Sequence, residues 1–110
     1  MLTEKEIENA ILDYLQTIKG MVAWKNQTTG LYDPVKKCFR PLRGKHSGKG
    51  STDIIGCFRG RFIGIEVKRP KNFKLSDDQK AFIDKINMSG GIAFVAKSIE
   101  DVKKALENYL

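Results

Sequence analysis

The stretch that decides the fold is Ser51-Thr52-Asp53-Ile54-Ile55-Gly56-Cys57-Phe58, then Arg59-Gly60-Arg61, then Phe62-Ile63-Gly64-Ile65-Glu66-Val67-Lys68. Two runs rich in β-branched and aromatic residues flank a short turn centred on Gly60, a pattern that predicts a β-hairpin. Residues two apart in a strand point to the same face, so Glu66 and Lys68 lie side by side. A hairpin brings the start of its first strand beside the end of its second, so we expect Asp53 next to Glu66.

The three ionisable residues at this end of the hairpin predict a metal site with a catalytic lysine. Burying two carboxylates together is costly, and one of them would protonate unless a cation joined them. Lys68 supplies one cation, and Mg²⁺ or Mn²⁺, which prefer oxygen ligands, would supply a stronger one. Such a metal can polarise a phosphodiester and activate a water, while Lys68 orients or deprotonates that water or stabilises charge on the phosphate. The alternative is a structural ion pair of Lys68 with Glu66 or Asp53.

The distribution of charge indicates a polyanionic partner. The chain of 110 residues carries a formal net charge of +7. Between Lys36 and Lys74 the only acidic residues are Asp53 and Glu66, against a long series of lysines and arginines. A basic field around two carboxylates suits an enzyme that attracts a phosphodiester and also holds a cation. The alternative is a solvated basic face that contributes only to solubility.

Length and motifs exclude several classes of protein. The length suits one domain, residues 1–110, and no apolar run approaches the roughly 20 residues of a membrane helix. We expect no signal peptide, because the chain starts with an acidic amphipathic segment. Cys38 and Cys57 match neither a zinc site nor a disulfide framework, so we expect a reducing cytoplasm and a buried Cys57. The GxxxxGK[ST] spacing fails between Gly44 and Thr52, which excludes ATP as a cofactor.

The first half of the chain predicts a helix, a strand and a long basic segment. Thr3 to Lys19 has helical apolar spacing and a capping box of Thr3 with Glu6. The strand at 21–27 contains Trp24, which is able to stack a base but is most simply a core residue. The segment from Thr28 to Gly50 is expected to contact DNA and to hold an extra hairpin at 31–32 and 38–39.

The second half predicts helix, strand and helix. Ser76 caps a helix with Gln79 at the capping-box position, so Gln79 either reaches back to Ser76 or faces the site. The strand at 92–96 is expected to be central and parallel to a neighbour. The last helix starts at Ser98, and its expected buried stripe includes Tyr109. The order α-β-β-β-α-β-α predicts an α/β fold, a mixed β-sheet flanked by helices.

The same residues resemble a known family. Asp53 and, about a dozen residues later, Glu66-Val67-Lys68 look like the signature of the PD-(D/E)XK nucleases, with Thr52 where proline often stands. The flanking sequence 50–56, Ile65 and Gln79 resemble the VRR-Nuc family of that superfamily. The valine-arginine-arginine element of the family reads Val67-Lys68-Arg69 here, so its middle position is the expected catalytic lysine. The resemblance covers nearly the whole chain, because the helix at 4–8 also fits.

The resemblance implies a restriction-endonuclease-like core and a Mg²⁺-dependent phosphodiesterase that acts on DNA. Asp53 and Glu66 would bind the metal, with the Val67 backbone carbonyl as a further ligand and Lys68 acting on the water. A glutamate of the first helix would complete the site, directly or through a water. Glu8 fits that role best, and Glu4, one turn earlier, is the alternative; both are otherwise solvated helix charges. Gln79 would face the site.

The resemblance also implies a substrate. Small stand-alone members are similar to phage and bacterial nucleases that cut junctions as homodimers, so we expect a structure-specific endonuclease of four-way (Holliday) junctions in the cytoplasm of a bacterial or phage-infected cell. The alternatives are a flap or nicking repair nuclease, a non-catalytic DNA-binding module of the same fold, and a basic subunit of a larger assembly. His46 is expected to contact phosphate or solvent. The expected DNA contacts are Arg43, Lys45, Lys49, Ser51, Arg69, Lys71 and Lys74.

Overall fold

The computed structural model describes residues 2–26, 31–40, 50–71 and 74–110, with backbone only for 31–33 and 38–40. Three helices and six strands follow one another within these ranges. Their order is α1 (Glu4–Leu15), β1 (Met21–Lys25), β2 (Leu31–Asp33), β3 (Cys38–Arg40), β4 (Ile54–Phe58), β5 (Arg61–Val67), α2 (Asp77–Met88), β6 (Ile92–Ala96) and α3 (Ile99–Leu106). The predicted mixed sheet with flanking helices is confirmed, and the extra hairpin expected between β1 and β4 is β2–β3.

The β4–β5 hairpin forms the centre of a four-stranded sheet in the order β1-β4-β5-β6. Its loop is the pair Arg59 (φ 50) and Gly60 (φ 86). Two positive φ values in a two-residue loop match the turn whose twist suits a hairpin, and glycine adopts them without steric cost. The antiparallel register pairs Ile54 with Ile65 and Phe58 with Arg61. The hairpin predicted from the sequence is therefore confirmed.

The last strand, β6, runs parallel to β5, as predicted, but it lies at the edge of the sheet and not at its centre. A side-chain amide covers part of this edge. Asn87 of α2 accepts a hydrogen bond from the Ala93 N–H (2.8 Å) and donates one to the Ala93 carbonyl (2.9 Å). Because the amide occupies both backbone groups of Ala93, an apolar strand is tolerated at an edge where another chain would otherwise pair.

The helices cover the two faces of the sheet unequally. The core lies on one face, where Ile7, Ile11 and Leu15 of α1 and Val102 and Leu106 of α3 pack against the strands. The other face is covered by α2, which contacts β5 and β6. Both capping boxes that the sequence predicts are formed, at Thr3–Glu6 and at Ser76–Gln79, and α1 ends at Leu15, four residues before the predicted end.

Three predictions about burial are wrong. Trp24 is 52% exposed, Tyr109 is 38% exposed, and Cys57 is an exposed free thiol. Trp24 and Cys57 point to the face of the sheet that α2 leaves open at β1 and β4. Tyr109 follows the end of α3, so it lies beyond the buried stripe of that helix.

None of the helices in the described part of the chain combines the length and apolarity that crossing a bilayer requires.

Candidate active site at the open end of the β4–β5 hairpin

The register of the hairpin brings Asp53 opposite Glu66, because Asp53 precedes Ile54 and Glu66 follows Ile65 in a paired ladder. The Asp53 Oδ2 atom accepts a hydrogen bond from the Val67 N–H at 2.8 Å. The Asp53 carboxylate thus takes the place of a backbone acceptor at the end of the sheet. The sequence-based expectation that Asp53 lies beside Glu66 matches this geometry.

Glu66 is the most deeply buried acidic residue among the described side chains, at 3% exposure. Its Oε2 atom accepts a hydrogen bond from Gln79 Nε2 at 2.7 Å and lies 3.6 Å from Lys68 Nζ. Its Oε1 atom is buried without a hydrogen-bond partner. Burial, and then the charge of Asp53, raise the pKa of Glu66 to about 7, although Lys68 acts in the opposite direction.

Gln79 fills both roles that the sequence left open. Its backbone N–H donates to Ser76 Oγ (3.1 Å), and its Oε1 accepts from the Ser76 N–H (3.0 Å), which completes the capping box of α2. Its Nε2 group remains available and donates to Glu66. The helix cap therefore orients the amide toward the site, since the oxygen of Gln79 is committed to the backbone and only the nitrogen faces the carboxylate.

Glu8 reaches the same region from α1. It is 8% exposed, and its Oε1 atom is buried without a hydrogen-bond partner, 3.7 Å from Lys25 Nζ. Burial raises the pKa of Glu8; the charge of Lys25 lowers it and that of Asp53 raises it further. Glu4, the alternative candidate, is exposed. No three acidic, histidine or cysteine side chains within the described ranges are close enough to ligate one ion, so Glu8 is not gathered with Asp53 and Glu66 into a single cluster.

The segment that enters β4 is held from both sides by residues that the sequence did not single out. Asn26, the residue after β1, donates from Nδ2 to Ser51 Oγ (2.8 Å) and to the Thr52 carbonyl (3.0 Å), and its N–H donates to the Asp53 carbonyl (2.7 Å). Gly50, at φ +80, lies so close to α2 that a Cβ atom there would be 2.3 Å from the Asp78 carbonyl oxygen. These contacts set the position of Asp53. The strand register would have pointed to Asn26, because it pairs Lys25 with Ile54.

The residues expected to contact DNA fall into three groups. Arg69, Lys71 and Lys74 are exposed on the chain between β5 and α2. Ser51 is half-buried and accepts the hydrogen bond from Asn26. Arg43, Lys45, Lys49 and His46 lie outside the described residues.

The donor set fits a small divalent cation. Two opposed carboxylates, one of which has a buried oxygen without a partner, are the hard ligands that Mg²⁺ and Mn²⁺ prefer. A buried acceptor without a partner is destabilising, and a bound cation removes that penalty. The Val67 N–H donates to Asp53. A ligand role for the Val67 carbonyl and a water-mediated role for Glu8 stay predictions.

Comparison with known proteins identifies the fold and the family of the chain. A solved structure described as a VRR_NUC domain protein is similar over 100% of this chain and 89% of its own, with 21% identity and a TM-score of 0.61, a likeness that concerns the fold. No curated protein matches. A family model described as the VRR-NUC domain matches residues 3–100. The resemblance inferred from the motifs is thus confirmed, and the chain belongs to the VRR-NUC domain family, a nuclease-type family whose function is directed at DNA.

Proposed function

We propose that this protein is a Mg²⁺-dependent, structure-specific DNA endonuclease that cleaves four-way junctions as a homodimer. The observation that carries the catalytic part is the buried Oε1 atom of Glu66, which has no hydrogen-bond partner and belongs to the residue opposite Asp53. Lys68 lies 3.6 Å from Oε2, the other oxygen of this carboxylate, and gives Oε1 no hydrogen bond. A divalent ion at Oε1 explains why the fold tolerates this cost.

Each site residue then has a distinct task. Asp53 and Glu66 would hold Mg²⁺ or Mn²⁺, with the Val67 carbonyl as a further ligand and Glu8 acting through a water. When bound, the ion would polarise the phosphodiester and lower the pKa of a coordinated water. Gln79 fixes Oε2 of Glu66, so that Oε1 keeps one orientation.

Lys68 is placed to act on the nucleophile or on the phosphate. It lies on the same face of β5 as Glu66, and its side chain is 17% exposed. A half-buried ammonium retains access to substrate while its charge is less screened than at the surface. It would orient the attacking water or stabilise the charge that develops on phosphate.

The charge of the surface supports DNA as the substrate. The chain carries a net charge of +7, and Arg69, Lys71 and Lys74 are exposed on the segment between Lys68 and α2. Arg43, Lys45 and Lys49, which lie outside the described residues, are further basic residues proposed to contact DNA. Binding through phosphate contacts weakens steeply with salt, which distinguishes it from apolar association.

Family resemblance supports the four-way junction and the homodimer. Each chain supplies one set of Asp53, Glu66 and Lys68, and paired symmetric cuts across a junction need two such sets. A two-fold dimer places two equivalent sites in opposite orientations.

The decisive experiment is cleavage of an end-labelled four-way junction, a linear duplex and a flap, each with Mg²⁺, Mn²⁺ or EDTA. We expect paired symmetric cuts in the junction with either metal, none in EDTA, and none with Glu66→Ala. Glu107→Ala, which removes an exposed carboxylate after α3, is the matched control and should cleave as the wild type does.

Other outcomes would redirect the proposal. Metal-dependent cutting of flaps or duplex alone would retain a nuclease and reject junction resolution. Binding without cutting in either metal would favour a DNA-binding module. Sedimentation that shows only monomer at micromolar concentration, with and without junction DNA, would reject the homodimer.

A further inference from the structure

The face of the sheet that carries Glu66 is only half covered. On this face Val22 pairs with Cys57 and Cys57 with Phe62, while Trp24 pairs with Ile55 and Ile55 with Gly64. Cross-strand partners point to the same side, so these two rows form one surface. The ring of Phe62 packs edge-to-face on Phe82 of α2, with centroids 6.5 Å apart. The helix therefore covers the β5 end of the rows and leaves the β1 end open.

The open part of this surface is apolar and holds the only tryptophan of the chain. Val22 is 63% exposed and Trp24 is 52% exposed, and Cys57 beside Val22 is exposed as well. Neither row contains an acidic residue. A contiguous exposed apolar surface can mark a site of interaction, whereas apolar residues exposed singly need no such explanation.

The surface lies at a distance from the carboxylates that one DNA strand can span. Gly64 and Glu66 are two apart on β5 and so share this face. Trp24 lies two strands from Gly64, which places its Cα atom about 12 Å from that of Glu66, given the usual strand spacing and rise per residue. This separation corresponds to about three to four stacked nucleotide steps. Trp24 is therefore within reach of a DNA strand that is bound at the carboxylates.

Charge selects DNA over a second copy of the chain as the occupant. The chain carries a net charge of +7, and Arg69, Lys71 and Lys74 are exposed on the segment that follows β5. A polyanion is attracted to this region. A second copy would find no carboxylate in either row to pair with its basic residues, and would be held here by apolar contact alone.

We propose that Trp24, flanked by Val22, is a stacking platform for a base that is unpaired or unstacked at the branch point of the DNA. The inference rests on the proposed function for its choice of DNA. Bases within a duplex are covered by their neighbours, whereas a base at a branch presents a free π-face, and stacking on an aromatic side chain depends little on sequence. Trp24 would thereby make the enzyme select branched DNA by shape, without reading base edges.

The single tryptophan makes the test direct. Trp24 fluorescence is followed in EDTA, so that no cleavage occurs, during titration with a flap that carries unpaired bases, a four-way junction and a linear duplex of equal length. We expect strong quenching with the flap and the junction and weak quenching with the duplex. Equal quenching by all three DNAs, or none, would overturn the proposal.

Affinity of the variants gives a second readout, measured by anisotropy of labelled DNA. Trp24→Ala should weaken binding of the flap and the junction by about 5- to 150-fold and that of the duplex far less. Trp24→Phe should restore most of the affinity, because the ring is kept. The matched control is Met88→Ala, an apolar residue 87% exposed at the end of α2, which should bind as the wild type does.

Failure of the platform and failure of the nuclease are distinguishable. If Trp24→Ala binds and cuts branched DNA as the wild type does, the platform is wrong and the nuclease stands. If branched DNA quenches Trp24 and the variant loses affinity although nothing is cleaved, the platform stands and the nuclease is wrong. If Trp24→Ala instead converts a dimer to a monomer in sedimentation, the surface is an interface between copies and the platform is wrong.

Discussion

The two ends of the β4–β5 hairpin are built in opposite ways. At the turn, Arg59 donates from Nη1 to the Tyr109 carbonyl (2.7 Å), and its guanidinium lies 5.0 Å from the centre of the Phe58 ring, while that of Arg61 lies 5.3 Å from the centre of the Tyr109 ring. At the open end, Glu66 and Glu8 each keep a buried carboxylate oxygen without a hydrogen-bond partner. The arginines of the turn end are bound by groups of the chain, whereas each glutamate of the open end has a lysine at 3.6 or 3.7 Å and still keeps one oxygen without a hydrogen bond.

This difference separates stability from chemistry within one element. The turn end ties the C-terminal residues to the hairpin with polar groups that remain in contact with solvent. The open end holds carboxylates where they repel each other and lose hydration, a cost that the rest of the fold must offset. Substitutions at the two ends should therefore affect different measurements.

The largest expected effect belongs to Lys68→Ala. Because Lys68 is expected to act on the water or the phosphate, the cleavage rate should fall by about 10²- to 10⁴-fold while the fold is retained. Single-turnover cleavage at saturating enzyme measures the rate, and circular dichroism checks the fold. Lys85→Ala, an exposed lysine in the last turn of α2, is the control. A rate within a few-fold of wild type would remove Lys68 from the chemistry.

At the turn end, Phe58→Ala should act on stability alone. Phe58 is 1% exposed, so its truncation should lower the free energy of unfolding by about 3–5 kcal/mol. Urea unfolding measures the loss. The matched variant is Phe62→Ala on the next strand, which should lose clearly less, because Phe62 is already 38% exposed. Equal losses would mean that the core does not extend to the turn as described.

At the open end, removing the charge of Glu66 should stabilise the protein at high pH, whereas removing a well-paired buried charge destabilises a protein. In EDTA the folded pKa of Glu66 is about 7, above its ordinary 4.5, so the folded state binds the extra proton between these values. The stability contributed by the protonated form is complete below pH 4.5 and is lost as the pH rises through 7. Glu66→Gln has no proton to release and keeps its stability as the pH rises. The difference in thermal midpoint, variant minus wild type, should therefore be larger at pH 8 than at pH 5.

Magnesium should increase the dependence of the wild-type thermal midpoint on Glu66 ionisation. Added Mg²⁺ should raise the thermal midpoint of the wild type at pH 8 and much less at pH 5, where Glu66 is protonated, and should not raise that of Glu66→Gln at either pH. A midpoint difference between the two proteins that does not change with pH would contradict the raised pKa.

A smaller effect on both measurements is expected for Asn26→Ala. The variant loses the two hydrogen bonds to Ser51 and Thr52, which should cost about 1–2 kcal/mol of stability. Asp53 follows Thr52 directly in the chain. Loss of the bond to Thr52 should therefore displace the Asp53 carboxylate and lower the cleavage rate by about 10-fold or more. Urea unfolding and single-turnover cleavage test the two parts. Lost stability with unchanged cleavage would show that Asn26 supports the segment and not the carboxylate.

The smallest effect is expected for Arg59→Ala. Arg59 and its hydrogen bond are solvent-exposed, so loss of this bond and of the contact with Phe58 should cost about 0.5–1 kcal/mol. Cleavage at saturating enzyme should be unchanged. A loss of cleavage without a loss of stability would show that the turn contacts the substrate. The turn end would then contribute to cleavage as well as the open end.

Most of the fold follows from local patterns in the chain. The alternation in β4 and β5, the Arg59-Gly60 turn and the capping boxes at Thr3 and Ser76 are each decided within a few residues, and all agree with the structure. The wrong predictions for Trp24 and Cys57 have a common cause. Alternation in β1 shows that Val22 and Trp24 share a face, but not whether a helix covers that face.

The sequence by itself determined the hairpin, the family and the pairing of Asp53 with Glu66, because period-two alternation and turn geometry act over short distances. Only the tertiary structure decided which charged atoms are buried without partners, since this depends on how α1 and α2 close over the end of the sheet. Tertiary packing also decided that Gln79 caps its helix and holds Glu66 at once, that Asn26 holds the chain before Asp53, and that Trp24 stays exposed where α2 does not reach.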